Sequence, residues 1–131
     1  GVIACYRGPR LFDTDGTQAV VKKWVDFYKK YRPILTSDII HVRRPDHKSI
    51  DCVLHVNPAL KERGLAMVYN PLDQAVETTL RLPLYYTGLT GTASVREQEG
   101  ESRRMELKRD SSLDLPVKMQ PRSITWFVVE E

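Results

Sequence analysis

The apolar residues in the first third of the chain recur with a helical period. These residues lie three and four positions apart: Val20, Val21, Trp24, Val25, Tyr28 and Tyr31. Lysines occupy the opposite side of the helix. This spacing is typical of an amphipathic helix and predicts one over residues 17–32. Thr17 or Asp15 can cap its first turn. Pro33 is expected to end it, because a proline disfavours helical geometry in the preceding residue.

After Ser37 the apolar period changes to that of β-strands. Alternating apolar and polar residues, separated by turn-forming residues, predict strands near 39–43, 52–57, 64–70, 76–82, 92–97, 104–108, 112–118 and 123–130. Residues 65–69 and 124–129 are almost continuously apolar, which is typical of central strands, whereas Pro116 indicates an edge strand or a bulge. The pattern predicts an antiparallel Greek-key β-sandwich of about eight strands with one N-terminal amphipathic helix.

Length and charge narrow the classes of protein that fit this chain. It has 131 residues, of which 41% are hydrophobic and 28% charged, as in folded globular proteins. Its apolar runs are too short for a membrane-spanning helix. Residues 1–50 carry ten Lys/Arg against five Asp/Glu, and residues 51–131 carry ten against twelve. Because the basic and aromatic residues form no recognisable nucleic-acid-binding module, nucleic acid is not an expected partner. A membrane is not an expected partner either.

The residue types that carry metal or nucleophile chemistry form no complete motif. Residues 13–16 begin like a calcium loop, but the twelfth position of that loop is not acidic. Cys5 and Cys52 are too few for a cysteine-rich zinc site and are interpreted as inert thiols. Cys52 could be paired with His55 as nucleophile and base, with His41 on a neighbouring strand, but no third group orients the base. The sequence predicts no metal, no cofactor and no catalytic residue.

Aromatic residues are the candidates for binding. Tyr85 and Tyr86 are adjacent near a predicted strand end, and Trp126 lies in the last predicted strand. Flat aromatic rings can stack on the C–H faces of sugars, so these three are candidate carbohydrate-binding residues. The alternative is a core or domain contact, because adjacent strand residues point to opposite faces and one tyrosine would enter the core.

Six segments of the chain resemble segments of a known family: CYRGPRL (5–11), KKWVDFYKKYRPIL (22–35), NP (70–71), LPLYYTGL (82–89), LPV (115–117) and SITWF (123–127). The first two resemble the end of a glycosidase barrel, and the others resemble the β-sandwich that follows such a barrel. Together they resemble the C-terminal region of a bacterial glycoside hydrolase of the α-galactosidase-like, multidomain type. The resemblance implies a (β/α)8 catalytic barrel closed by a C-terminal β-sandwich.

The resemblance also implies a place for each part of the chain. Residues 1–38 would be a remnant of the last barrel strand and helix with a linker, and residues 39–131 the C-terminal sandwich. Catalytic carboxylates in such barrels follow earlier strands, so none is carried over to this chain. Arg7 and Arg10 follow the supposed last strand, where they could face a substrate or pack at the domain junction.

The expected function is therefore non-catalytic. We expect the chain to stabilise or cover the catalytic barrel of its parent hydrolase, whose compartment, periplasmic or secreted, stays open. The alternatives are a carbohydrate-binding module and a protein-interaction domain. Trp24, Tyr28 and Tyr31 are the expected domain-contact residues. Without the barrel, their apolar face should pack on the sandwich, and the remaining apolar area should favour self-association.

Overall fold

The computed structural model describes residues 12–131. The elements, in chain order, are α1 (Asp15–Leu35), β1 (Asp38–His41), β2 (Asp51–Val56), β3 (Gly64–Asn70), β4 (Val76–Pro83), a 3-10 turn (Tyr85–Thr87), β5 (Thr92–Glu97), β6 (Ser102–Glu106), β7 (Ser112–Met119) and β8 (Ser123–Glu130). Every strand pairing among these elements is antiparallel. The predicted fold class, a mainly β sandwich with one helix before it, is confirmed.

Two sheets of unequal size form the sandwich. The larger sheet has the strand order β1-β2-β3-β8-β5-β6, and the smaller consists of β4 and β7. The chain therefore crosses between the sheets on both sides of β4 and on both sides of β7, as Greek-key sandwiches do. Pro116 lies in β7 opposite Thr79 of β4. Because β7 has a single neighbouring strand, the predicted edge position of Pro116 is confirmed.

The central strands β3 and β8 are covered on both faces. One set of their side chains faces the smaller sheet: Ala66, Val68, Phe127 and Val129. The alternate set faces the helix: Leu65, Met67, Trp126 and Val128. A strand covered on both faces needs apolar residues at successive positions, which explains the almost continuous apolar runs and confirms that these two strands are central.

The helix α1 extends beyond both ends of the prediction. Its N-cap is Thr14, whose hydroxyl accepts a hydrogen bond from the backbone N–H of Thr17 at 3.1 Å, so the predicted caps Thr17 and Asp15 are wrong. Pro33 lies inside the helix and does not end it, which also corrects the prediction. Ile34, the next residue, is only 1% exposed, and its burial against the sheet stabilises a last turn that lacks one backbone donor.

The strand bounds follow the prediction except at one edge. β3, β5 and β8 have the predicted bounds, and β1, β2, β4 and β7 differ by one or two residues. β6 begins and ends two residues earlier than predicted. Its side chains are mostly exposed, so its position depends on pairing with β5, where Val95 lies opposite Arg103. The expected remnant of the last barrel strand, with Cys5 and with Arg7 and Arg10 after it, lies outside the described residues.

Candidate functional site

Helix α1 packs on the outer face of the larger sheet through one side of the helix. The side chains on that side are Trp24, Phe27, Tyr31, Ile34 and Leu35. Their partners include Met67 of β3 and Trp126 of β8. The ring centroid of Trp126 lies 4.7 Å from that of Phe27 and 6.2 Å from that of Trp24, both in edge-to-face geometry. The expectation that the helix packs against the sandwich is therefore confirmed.

The three predicted domain-contact residues have different environments. Tyr31 is 2% exposed and Trp24 is partly buried, and both pack against the sheet of the same chain. Tyr28 is 42% exposed and lies outside this cluster. Phe27, which the sequence analysis missed, lies on the packed side instead. Its spacing of three residues from Trp24 and four from Tyr31 was the available signal.

Trp126 is not accessible to a carbohydrate. It is 6% exposed because its side chain projects from β8 toward α1, and the helix covers it. Its indole N–H is buried and has no hydrogen-bond partner among residues 12–131. The structure therefore corrects the prediction that this ring binds sugar: Trp126 is part of the helix–sheet interface.

Tyr85 and Tyr86 are the two most exposed of the large hydrophobic side chains that the structure describes, at 70% and 64%. They lie in a 3-10 turn, where successive side chains point about a third of a turn apart. Leu84 and Thr87 on either side are buried, so neither tyrosine enters the core. Gly88 ends the turn with φ of 69°, a left-handed conformation that glycine adopts without strain.

The geometry of the tyrosine pair limits how it could stack on a sugar. The ring centroids lie 5.3 Å apart and the ring planes are 88° from each other. The rings therefore do not form one flat platform, and each could offer a face only to a different surface of a ligand. The alternative from sequence, in which one of the two enters the core, is wrong for this turn.

A polar cluster fastens α1 to the β5–β6 hairpin. The Glu99 carboxylate accepts hydrogen bonds from Lys30 and from the Tyr31 hydroxyl, the latter at 2.7 Å. The Arg96 guanidinium donates to the same tyrosine oxygen at 3.2 Å and lies 3.6 Å from Glu130. The hydrogen bond from Lys30 is the main reason that the pKa of Glu99 lies below its ordinary value. This cluster fixes the rotation of the helix about its axis.

A groove of about 780 Å³ opens between the β5–β6 hairpin and β7. Its floor is apolar, with Val95, Met105, Leu115 and Phe127, and carboxylates and arginines border it. Glu97, Glu99 and Glu101 are all exposed, and Glu97 accepts a hydrogen bond from Thr125 at 2.7 Å. A glycosidase acid needs an apolar pocket that keeps it protonated, and these exposed carboxylates do not have one.

Cys52 and His55 lie on opposite faces of β2, so they cannot form a nucleophile–base pair. Cys52 belongs to the core between the sheets, and burial raises the pKa of its thiol to about 12. His55 lies opposite Leu65, which faces the helix, and burial lowers the pKa of the imidazole. Cys52 is a free, buried thiol, and because a protonated thiol is a poor nucleophile, it is not a candidate for nucleophilic catalysis.

Metal ligands are not gathered anywhere in the described part of the chain. Within residues 12–131, no group of three or more His, Cys, Asp or Glu residues could hold a metal ion. The calcium-like residues 13–16 instead form the start of α1, with Asp15 in its first turn, where a negative charge favours the helix dipole.

No family model matches the chain, and no curated protein matches it. In residues 12–131, no helix has the length and apolar character needed to cross a membrane. Residues 12–131 form an antiparallel β-sandwich with an amphipathic helix packed on one outer face.

Proposed function

We propose that this chain is the non-catalytic C-terminal β-sandwich of a glycoside hydrolase and that it stabilises the catalytic barrel of the same parent protein. One observation carries the proposal. Helix α1, which the resemblance equates with the last barrel helix, packs on the sandwich by one side and keeps a second apolar side exposed. Val25 and Tyr28 on that second side are 43% and 42% exposed.

A helix that joins two bodies needs an apolar surface for each of them. The first surface of α1 is buried on β3 and β8, and the Glu99 cluster holds the helix in a fixed rotation. The second surface is thus presented in a defined direction. In the proposed role the sandwich holds the helix in place, and the helix in turn holds the barrel.

The non-catalytic part of the proposal is tested with the purified 131-residue chain. We expect no hydrolysis of a panel of aryl α- and β-glycosides, because the exposed carboxylates offer no protonated acid next to an ionised partner. Hydrolysis that co-purifies with the chain and disappears in Glu97→Gln, Glu99→Gln or Glu101→Gln would overturn it.

The stabilising part is tested with the whole protein that the gene encodes. Its coding sequence upstream of Gly1 should specify a (β/α)8 barrel with paired carboxylates. Heat inactivation of that protein should be faster in Trp126→Ala, which weakens the hold of the sandwich on α1, and unchanged in the control Tyr85→Ala. An upstream sequence without a barrel, or equal inactivation of Trp126→Ala and wild type, would contradict the proposal.

A carbohydrate-binding module is the second candidate, and the exposure of Tyr85 and Tyr86 is the observation that favours it. Titration of the chain with mono- and oligosaccharides, followed by NMR, separates the two functions. Chemical-shift changes at residues 84–88 that are lost in Tyr85→Ala and Tyr86→Ala would favour the module. No change at millimolar sugar would leave the stabilising role as the better account.

A further inference from the structure

The exposed apolar side of α1 faces the β1 edge of the larger sheet. Lys30 and Tyr31 contact Glu99, which places their flank of the helix toward the β5–β6 hairpin. Successive residues of an α-helix are about 100° apart, so Val25 and Tyr28 fall on the opposite flank. Because β1 and β2 lie at the other end of the strand order from β5 and β6, this flank overlooks β2 and β1.

The sheet continues the same apolar surface beyond the helix. Ile39 of β1 lies opposite His55 of β2, which lies opposite Leu65 beneath the helix, so the three side chains share one face. Ile39 is 48% exposed, and Tyr69, on the same face of β3, is 39% exposed. We call the following five residues the helix–β1 surface: Val21, Val25, Tyr28, Ile39 and Tyr69.

Basic side chains border the helix–β1 surface. Lys29 and Arg32 flank it on α1, and Arg44 follows β1 shortly after the strand ends. Within residues 12–131, none of the three forms an ion pair. The nearby Asp26 and Asp46 already pair with other basic residues, whereas Asp51, opposite Tyr69, forms no ion pair among the described residues, so basic groups outnumber free carboxylates here. An apolar centre with a charged border is the usual anatomy of a protein interface.

We propose that the helix–β1 surface docks a protein surface that has an apolar centre and a rim of carboxylates, and not a second copy of this chain. Two copies docked through this surface would bring their basic borders together, and like charges across an interface oppose association, so this proposal departs from the self-association expected from the sequence. Carboxylates on the partner would instead pair with Lys29, Arg32 and Arg44. This inference rests on the proposed function, in which the partner is the catalytic barrel of the parent protein.

The first test uses the 131-residue chain and a matched pair of variants, Tyr28→Glu and Tyr85→Glu. Both tyrosines are exposed, so both variants should melt within about 2 °C of wild type, as surface substitutions do. Sedimentation should show a monomer at every concentration. A dimer that Tyr28→Glu abolishes and Tyr85→Glu preserves would overturn the proposal, because the occupant would then be a second copy.

The second test uses the whole encoded protein. Tyr28→Glu and Arg32→Glu should each lower the melting temperature of the barrel by about 4 °C or more, whereas Tyr85→Glu should not lower it. The deficit of Arg32→Glu should shrink in high salt, since salt screens the pairing that wild type makes. A barrel that melts equally in Tyr28→Glu and wild type would overturn the docking surface alone. An encoded protein without a barrel would overturn the proposed function and this choice of partner together.

Discussion

Replacing Trp126 with alanine measures how strongly α1 is held to the sheet. The residue is 6% exposed and its ring contacts the rings of Trp24 and Phe27. A tryptophan buries about 150–250 Å², which corresponds to roughly 4–6 kcal/mol of burial free energy at about 25 cal/mol per Å². Tryptophan-to-alanine changes in cores cost about 3–5 kcal/mol. Because the indole N–H has no hydrogen-bond partner among residues 12–131, we expect the lower half of that range, about 3–4 kcal/mol.

Urea unfolding followed by far-UV circular dichroism gives the free energy of unfolding directly. The chain has two tryptophans, Trp24 and Trp126, so the tryptophan fluorescence of Trp126→Ala comes from Trp24 on the helix alone. Its emission should shift to longer wavelength in the folded state, because Trp24 loses a neighbouring ring. The control Tyr85→Ala, at a residue that is 70% exposed, should change stability by no more than about 0.5 kcal/mol.

Trp126→Phe separates lost packing from a failure to fold. Phenylalanine retains one aromatic ring against Phe27 and removes the unpaired N–H, so its cost should stay below about 2 kcal/mol. A cost below about 1 kcal/mol for Trp126→Ala, with an unchanged dependence on urea and unchanged Trp24 emission, would refute the reasoning. The helix would then not be packed on this ring in solution.

Three further predictions concern single buried groups. Burial lowers the pKa of His55, so the unfolded chain protonates this imidazole more readily than the folded chain and the free energy of unfolding should fall as the pH drops through 6.5. Urea titrations on either side of that pH should show a smaller fall in His55→Gln than in wild type or His47→Gln, and equal falls in all three proteins would contradict this prediction. Burial raises the pKa of Cys52 to about 12, and Cys5→Ser leaves this thiol as the one cysteine in the chain. A thiol reagent should label Cys52 very slowly in the folded chain and at once in the urea-unfolded chain. Fast labelling of the folded chain would disprove the prediction. The Asn70 side-chain amide donates hydrogen bonds to the backbone carbonyls of Gln74 and Gln120 at 2.9 and 2.8 Å. Asn70→Ala should therefore lower the free energy of unfolding, measured in urea, by about 2–3 kcal/mol. An unchanged free energy would show that the segments at Gln74 and Gln120 do not depend on these two bonds.

The spacing of apolar residues was sufficient for most of the strands. The bounds of β5 were predicted from the period of two that the pleat imposes, and those of β3 and β8 from almost continuous apolar runs, with turn residues marking where each strand stops. The edge strand β6 was displaced by two residues. Its exposed side chains carry no strong alternation, so only its pairing with β5 sets its position.

The candidate site was less predictable, because it depends on which elements cover which surfaces. Tyr85 and Tyr86 were candidate binding residues, with the alternative that one of them enters the core; the 3-10 turn places both in solvent. The residues next to Trp126 in sequence do not indicate whether its ring is exposed or covered. Its burial is decided by α1, which is about a hundred residues away along the chain.

The spacing of apolar residues along the chain is enough to predict that α1 is an amphipathic helix and that an antiparallel β-sandwich follows it. It could not determine which side of the helix packs, because Trp24 adjoins apolar residues on both flanks: Phe27 and Tyr31 on one, Val25 and Tyr28 on the other. The choice between the two flanks depends on contacts with the distant strands β3 and β8. Packing Phe27 and Tyr31 on β3 and β8 brings Lys30 and Tyr31 within hydrogen-bonding reach of Glu99, and the same rotation leaves Val25 and Tyr28 exposed.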